Sequence, residues 1–132
     1  SIPSSGSVFV SVKDNDKKYL PSLCGKLEKL GFTIVATKGT AEALKDTNIK
    51  VKLINKVLEG RPHIVDAILN KEIDMIINTT EGRQSIKDSF SIRRSALEHS
   101  VLFTTTVSGG FAIVESLEKG VENWTYKPLQ ET

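Results

Sequence analysis

Short apolar runs alternate along the chain with longer stretches in which apolar residues recur every three or four positions. The apolar runs are rich in β-branched side chains and end in polar residues or glycine, which is typical of buried strands. They predict five strands, at residues 8–12, 32–36, 51–54, 74–78 and 101–104. The stretches between them predict five helices, at about residues 16–30, 40–46, 62–70, 91–99 and 108–119.

Particular residues mark the faces and ends of these helices. The first helix has one apolar face, made by Leu20, Leu23, Leu27 and Leu30. Gly31 supplies its C-terminal stop. Pro62 is expected in the first turn of the third helix, where a proline is well tolerated. That helix is expected to turn three side chains inward: Ile64, Ile68 and Leu69. Residues 80–90 are predicted to be a charged connection.

The alternation of strands and helices predicts a parallel sheet with right-handed crossovers. The predicted fold class is α/β: a single three-layer, Rossmann-like domain with helices on both faces of a five-stranded sheet in the order 3-2-1-4-5. Residues 1–6 are predicted to be a linker remnant, and residues 7–132 the domain. A short edge strand or a packed tail is expected at residues 124–126.

Polar residues follow three of the predicted strands where each strand ends. Strand one runs into residues 13–17, strand two into residues 37–40, and strand four into residues 78–83. The carboxyl ends of parallel strands lie at one edge of a sheet, and ligands bind there where the strand order reverses. The sequence therefore predicts one anion pocket, near the ends of strands one and four.

The residue types at this edge suit a phosphomonoester. They are Lys17, Thr37, Gly39, Thr40, Lys56, Asn78, Thr79 and Thr80. The N–H groups and the dipole of a helix start attract phosphate, and Gly39 lets the backbone come close to it. Each feature alone is explained as well by a helix cap, an ordinary turn or a solvated lysine. Their coincidence at one edge favours the phosphate site.

Composition narrows the function classes. The 132 residues are 39% hydrophobic and carry a formal net charge of only +2. Such a small charge argues against a protein that binds nucleic acid through bulk positive charge. The single cysteine, Cys24, is interpreted as a buried thiol. His63, at a helix start, could act as a general acid but is better interpreted as a capping histidine or one that supports a neighbouring site, and His99 is interpreted as a surface residue. The two histidines lack the spacing of metal ligands, so no metal site is predicted. No membrane span or signal peptide is visible, and a cytoplasmic location is expected.

Several longer runs together resemble a known family. They lie at residues 11–13, 36–40, 55–63, 77–80, 92–97 and 109–112. From about residue 6 to residue 119, the chain resembles the C-terminal regulatory domain of the bacterial carbamoyl-phosphate synthase large chain, part of the methylglyoxal-synthase-like superfamily. The runs Asn-Lys-Val-Leu-Glu-Gly-Arg-Pro-His and Ile-Arg-Arg-Ser-Ala are the most specific to this branch.

The resemblance implies an allosteric domain that binds nucleotide effectors, with UMP as an inhibitor and IMP as an activator of carbamoyl phosphate synthesis for pyrimidine and arginine biosynthesis. It implies that the phosphate is held by Lys17, Thr37, Thr40, Lys56, Asn78, Thr79 and Thr80. It places the ribose and base near Ser11, Val57, Ser89 and Ile92.

The same resemblance implies which partners and cofactors the domain has. The partners are the synthetase domains of the same large chain and the glutaminase small chain. No cofactor is expected in the domain itself, because ATP, Mg and K belong to the synthetase halves, which these residues do not match. The fragment is therefore expected to make no carbamoyl phosphate.

One stretch departs from the family pattern. Ornithine-responsive members carry Tyr-Asp-Thr near the end of strand five, whereas this chain carries Phe103, Thr104 and Thr105. The carboxylate that would pair with the ornithine ammonium is missing, and so is a phenolic hydroxyl. The resemblance therefore implies a degenerate ornithine site, with regulation by ornithine weakened or absent.

Two other functions remain open. Methylglyoxal synthase shares the superfamily fold, but its reaction needs a carboxylate base, which in those enzymes lies in a Gly-Gly-Asp run at the start of helix three. Here the run is Glu59-Gly60-Arg61, and an arginine cannot take a proton at neutral pH. Glu59 is expected to point elsewhere. The other alternative is an interaction module with a vestigial pocket, which would dock on the synthetase halves without binding a nucleotide.

Overall fold

A parallel sheet forms the centre of the computed structural model, which describes residues 2–120. Its strands are β1 (Gly6–Ser11), β2 (Phe32–Ala36), β3 (Val51–Leu53), β4 (Met75–Asn78) and β5 (Leu102–Thr104). All neighbouring strands pair in parallel, in the order β3-β2-β1-β4-β5. The predicted fold class and strand order are confirmed.

Helices connect the strands throughout the described residues. The α-helices are α1 (Leu20–Lys29), α2 (Lys38–Glu42), α3 (Ile64–Leu69), α4 (Arg83–Asp88), α5 (Phe90–Glu98) and α6 (Val107–Glu118). Two 3₁₀ helices, Asp14–Tyr19 and Val57–Glu59, follow β1 and β3. Each crossover therefore returns the chain to the same edge of the sheet, which places all five strand ends together.

Apolar side chains cover both faces of the sheet and produce the three layers. On one face, Val10 of β1 lies in a cluster with Leu23 of α1 and Ile113 of α6. On the other face, Phe9 of the same strand lies in a cluster with Ile68 of α3. Successive side chains of a strand point to opposite faces, so a strand covered on both sides reads as a continuous apolar run.

The amino-terminal segment departs from its prediction. Strand β1 begins at Gly6, two residues before the predicted start at Val8. Ile2 is buried in the same cluster as Leu27. The Asp74 carboxylate also accepts the backbone N–H of Ser7 at 2.8 Å. The described part of residues 1–6 therefore packs against the domain instead of forming a free linker, and the domain boundary itself stays a prediction.

The predicted boundaries of three helices were wrong. The helix predicted at residues 40–46 is α2, which spans Lys38–Glu42. The single helix predicted at residues 16–30 is divided into the 3₁₀ helix Asp14–Tyr19 and α1, with Pro21 in the first turn of α1. Helix α3 begins at Ile64 instead of Pro62, because His63 caps it: its Nδ1 accepts the backbone N–H of Asp66 at 3.4 Å. Leu69, predicted to face inward, is exposed at the end of α3.

The charged connection predicted at residues 80–90 contains a helix. Helix α4 buries none of its side chains, so its sequence lacks the apolar period that reveals a helix. The edge strand or tail predicted at residues 124–126 lies outside the described residues. Between residues 2 and 120, no helix has both the length and the apolar character needed to cross a bilayer.

Candidate functional site

A cavity of about 770 Å³ lies at the carboxyl edge of the sheet, where the strand order reverses between β1 and β4. Nearly all the effector-site residues predicted from the sequence line it: Ser11, Lys17, Thr37, Gly39, Thr40, Lys56, Val57, Asn78, Thr79, Ser89 and Ile92. Thr80 follows directly in the chain but does not line the cavity. The structure thus brings the predicted residues together, while their roles as ligand contacts stay a prediction.

Two buried threonine hydroxyls are held by backbone groups at the cavity wall. Thr40 Oγ1 accepts the N–H of Val12 at 3.2 Å, and Thr79 Oγ1 accepts the N–H of Lys13 at 2.9 Å. A hydroxyl has one proton to donate in addition to its lone pairs. Since a lone pair of each oxygen already takes a backbone N–H, each hydroxyl proton is left to donate to a ligand. The pair therefore suits an acceptor such as a phosphate oxygen.

A chain of hydrogen bonds connects β4 to the wall formed by α4 and α5. Asn78 Nδ2 donates to Ser89 Oγ at 2.9 Å, and Ser89 Oγ donates to the carbonyl of Ser85 at 3.0 Å. Across the strand ends, Thr37 Oγ1 donates to Ser11 Oγ at 3.4 Å. Both Ser89 and Ser11 were predicted near a ribose or base, and each lies one hydrogen bond from a residue predicted to hold phosphate.

Charged side chains of both signs line the cavity in equal number: Lys13, Lys17, Lys56 and Lys87 against Asp14, Glu59, Glu81 and Asp88. Lys17 Nζ lies 2.6 Å from the Asp14 carboxylate, and this hydrogen bond, followed by the attraction of the charges, lowers the pKa of Asp14. Lys56 makes no ion pair with any residue from 2 to 120. Preference for an anion must therefore come from the placement of donors, since the net charge of the lining is balanced.

Gly39 lies close to the Lys17 ammonium. A Cβ placed on Gly39 would come to 3.6 Å from Lys17 Nζ, at ordinary contact distance. Gly39 also belongs to the first turn of α2, whose backbone N–H groups lack intrahelical acceptors. The prediction that Gly39 lets the backbone come close to a phosphate stays a prediction, and the nearby Lys17 ammonium would face the same ligand.

The structure adds lining residues that the sequence reasoning missed. Phe90, at the start of α5, and Leu58, in the second 3₁₀ helix, both line the cavity although most of their surface is exposed. The only sequence signal for Phe90 is an aromatic residue at the end of a polar run. Glu59 also lines the cavity, and its carboxylate accepts the N–H of Lys56 at 2.7 Å. Glu59 was expected to point elsewhere, and its carboxylate does turn back to the backbone of Lys56, the residue that caps this 3₁₀ helix.

A second cleft of about 500 Å³ lies beside the first, with Glu59 lining both. Arg61 Nε donates to both carboxylate oxygens of Asp66 at 3.2 Å, and the His63 N–H donates to the same carboxylate at 2.9 Å. The guanidinium first, and the backbone hydrogen bond second, lower the pKa of Asp66 to about 2. The interpretation of His63 as a cap is confirmed, and Arg61 does not line the first cavity.

Other candidates lie away from the cavity. Phe103, Thr104 and Thr105 do not line it, and the Arg93 guanidinium lies 5.9 Å from the centre of the Phe103 ring. The weakened response to ornithine stays a prediction. Cys24 is fully buried, which confirms its interpretation as a buried thiol, and burial raises the pKa of the thiol to about 12.

The fold and the cavity define a class of protein: a parallel α/β domain with a donor-rich ligand cavity at the switch point of its sheet. The family model of the MGS-like domain matches residues 20–105. The chain belongs to the MGS-like domain family.

Similar curated proteins share one description, the carbamoyl phosphate synthase large chain. The protein of Pseudomonas aeruginosa is 51% identical over 130 residues, that of Pseudomonas syringae pv. tomato is 52% identical over 130 residues, and that of Myxococcus xanthus is 47% identical over 131 residues. Each match covers 98% of this chain and 12% of the relative. The resemblance found in the motifs is confirmed, and the chain spans about an eighth of the length of these relatives.

A solved structure shares the fold. Methylglyoxal synthase from Elizabethkingia anophelis NUHP1 superposes with a TM-score of 0.69, covering 87% of this chain and 80% of that chain at 18% sequence identity. At that identity the likeness concerns the fold alone, and it agrees with the predicted methylglyoxal-synthase-like architecture.

Proposed function

We propose that this chain is the effector-binding regulatory domain of a carbamoyl-phosphate synthase large chain, and that it binds nucleoside monophosphates in the carboxyl-edge cavity. The observation that carries the proposal is the convergence of the predicted residues, all but Thr80, on one cavity of about 770 Å³. A cavity of that size accommodates a ligand as large as a nucleotide. Following the resemblance, UMP inhibits and IMP activates through this site.

The threonine hydroxyls and the lysines support the phosphate end of the proposal. Thr40 and Thr79 have protons left to donate, and the Lys56 ammonium makes no ion pair within the described residues. Hydrogen bonds from such groups to a phosphate dianion are stronger than those to a neutral acceptor. The ligand therefore enters with its phosphate toward the ends of β1, β2 and β4.

Regulation requires a second site. An effector changes catalysis only through a coupling free energy between its own pocket and a distant active site, so both must be in one molecule. In the proposed function, the partners are the synthetase domains of the large chain and the glutaminase small chain, which use ATP, Mg and K outside this domain. The isolated chain then shows binding without catalysis, and a cytoplasmic location follows from that role.

Thermal unfolding of the chain with UMP, IMP, AMP and inorganic phosphate tests the proposal. A ligand at a hundred times its dissociation constant stabilises the folded state by about 2.7 kcal/mol, which raises the Tm of a domain of this size by several degrees. We expect this shift with UMP or IMP, and a smaller shift with phosphate. Lys56→Ala should abolish most of it, whereas Lys50→Ala, an exposed lysine outside the cavity, should leave it intact.

Two results would contradict the proposal. Equal shifts in the Lys56→Ala and Lys50→Ala variants would place nucleotide binding elsewhere on the chain. The absence of any shift with all four compounds would favour the vestigial interaction module, which folds and docks without a nucleotide.

One observation favours a second candidate, methylglyoxal synthase activity: Glu59 is among the residues that line the cavity, although its carboxylate accepts the N–H of Lys56. That reaction removes a proton next to a carbonyl and then expels phosphate, so it needs a base beside the phosphate. Against it, Arg61 stands where those enzymes carry aspartate, and its guanidinium is bound to Asp66 outside the cavity. Incubation with dihydroxyacetone phosphate decides the matter, since methylglyoxal released by the wild type and not by Glu59→Gln would establish the enzyme.

A further inference from the structure

Exposed apolar side chains lie at the rim of the cavity. Phe90 is 68% exposed and Leu58 is 77% exposed, and both line the cavity. They come from different parts of the chain: Phe90 begins α5, and Leu58 lies in the 3₁₀ helix after β3. Exposed apolar surface that edges a concave site is typical of a place where a ligand is bound.

Hydrogen bonds lie next to both positions in the chain. The side-chain oxygen of Ser89, directly before Phe90, accepts the Asn78 side-chain N–H at 2.9 Å. The turn that carries Leu58 is closed by the backbone N–H of Lys56, which donates to the Glu59 carboxylate at 2.7 Å. Both apolar side chains therefore extend from segments that are hydrogen-bonded at the edge of the cavity.

Two chemically different sets of side chains line the cavity. The ends of β1, β2 and β4 supply hydroxyl, amide and ammonium groups, including those of Thr40, Asn78 and Lys17. Apolar side chains also line the cavity: Val57 and Ile92, which belong to the core cluster on this face of the sheet, and the more exposed Leu58 and Phe90, next to the charged Glu59 and Asp88. A ligand that contacts both sets must join an anionic group to a flat apolar group.

We propose that Phe90 and Leu58 form an apolar slot that holds the nucleobase, and that this slot makes the domain specific for nucleoside monophosphates over phosphates without a ring base. The inference rests on the proposed function and names the side chains that would set its specificity. The phenyl ring supplies a stacking face, and every base has a π-face to place on it. Leu58 covers the base from the other element.

Exposure alone does not distinguish the two side chains of the slot, and their position at the cavity does. Leu97 is also exposed on α5, at 81%, but it does not line the cavity. Phe90 and Leu97 therefore share a helix and an apolar character, and differ in access to the ligand. Leu97 supplies a matched control for loss of apolar surface on α5.

Titration calorimetry on the wild type and on Phe90→Ala, Leu58→Ala and Leu97→Ala tests the inference. The ligands are UMP, IMP, ribose 5-phosphate and inorganic phosphate. We expect Phe90→Ala to weaken binding of the nucleotides about tenfold, the effect of losing one stacked aromatic side chain. Leu58→Ala should cause a smaller loss of nucleotide affinity. In both variants, binding of ribose 5-phosphate and phosphate should stay unchanged. Leu97→Ala should match the wild type for all ligands. Phe90→Tyr, which keeps an aromatic ring, should bind nucleotides as the wild type does.

The outcomes separate this inference from the proposed function. If the wild type binds nucleotides and neither Phe90→Ala nor Leu58→Ala changes their affinity, the slot is overturned. The proposed effector site would still stand. An equal loss of affinity for ribose 5-phosphate and for UMP would also overturn it, because the side chains would then act on the sugar phosphate or on the fold. If the wild type binds no ligand of the four, both proposals fall.

Discussion

The two neighbouring clefts differ in what their polar groups are already doing. In the second cleft, Asp66 receives N–H donors from Arg61 and from the backbone of His63, while the His63 ring accepts the N–H of Asp66. The polar groups of this network are therefore hydrogen-bonded to one another. In the first cavity, Thr40 and Thr79 accept backbone N–H groups and keep protons to donate. Charged and polar residues mark a binding site only when some of their hydrogen-bonding capacity is left over.

The largest effect expected from this contrast is that of Thr40→Val. The change removes the acceptor for the buried Val12 N–H and the donor to the ligand at once. We expect the unfolding free energy to fall by about 1–3 kcal/mol, the cost of an unsatisfied buried group, and the affinity for UMP to fall at least tenfold. Urea unfolding and calorimetry measure the two losses separately.

Thr47→Val is the matched control for that experiment. Its hydroxyl also accepts a backbone N–H, that of Ile49 at 3.2 Å, but it does not line the cavity. It should lose stability and retain affinity. If Thr40→Val binds UMP as tightly as Thr47→Val does, the Thr40 hydroxyl has no part in binding, and the contrast between the clefts fails.

An intermediate effect is expected from the closed network, and it depends on pH. The pKa of Asp66 is about 2 in the folded chain against 3.8 without its partners, so the folded state favours the ionised carboxylate. That contribution to stability is complete above about pH 4 and is lost as the pH falls toward 2. Asp66→Asn should therefore be less stable than the wild type at neutral pH, with the difference shrinking below pH 4.

Urea unfolding from pH 7 to pH 2 checks this prediction, with Asp46→Asn as an exposed control that makes no ion pair among residues 2–120. Nucleotide affinity at pH 7 should be the same in both variants. A constant difference between Asp66→Asn and the wild type over the whole pH range would show that the carboxylate acts by shape and not by charge.

The smallest effect is expected at the ion pair between Lys17 and Asp14. In this pair, a donor of the first cavity is already bound to a carboxylate of the chain. Asp14→Asn removes the carboxylate that lies 2.6 Å from the Lys17 ammonium and leaves that ammonium to the ligand. Since exposed ion pairs are weak, phosphate affinity should rise only about two- to fivefold. Calorimetry with inorganic phosphate measures it. Asp16→Asn, in the same 3₁₀ helix, should change nothing, and a drop in affinity for Asp14→Asn would mean that Asp14 itself positions the lysine.

The order of the sheet could be predicted because strands that alternate with helices leave few topologies. Once the order placed β1 and β4 together, the polar residues after them had to meet. Phe90 and Leu58 could not be found in this way. Their importance comes from exposure at a rim, and a sequence does not show whether an apolar residue in a polar run is buried or exposed.

The wrong predictions of single helices and helix ends have a common physical origin. Helix α4 was missed because none of its side chains is buried, so no apolar period marks it. The start of α3 was misplaced because His63 caps the helix, with its ring nitrogen accepting the backbone N–H of Asp66, and this contact overrode the preference of Pro62 for a first turn. Period and propensity reveal elements that the core stabilises, and they fail where hydrogen bonds to single side chains decide.

The lack of buried side chains in α4 also affects how readily this helix opens. Its residues bury no side chain, and its neighbour in space is α5. Such an element opens at a small fraction of the free energy needed to unfold the sheet, so its amide hydrogens exchange with solvent long before those of β1. We therefore expect the wall of the cavity that contains Ser85 and Lys87 to open more often than the strand ends that form its floor. A ligand could then enter and leave past α4 without disturbing the strands.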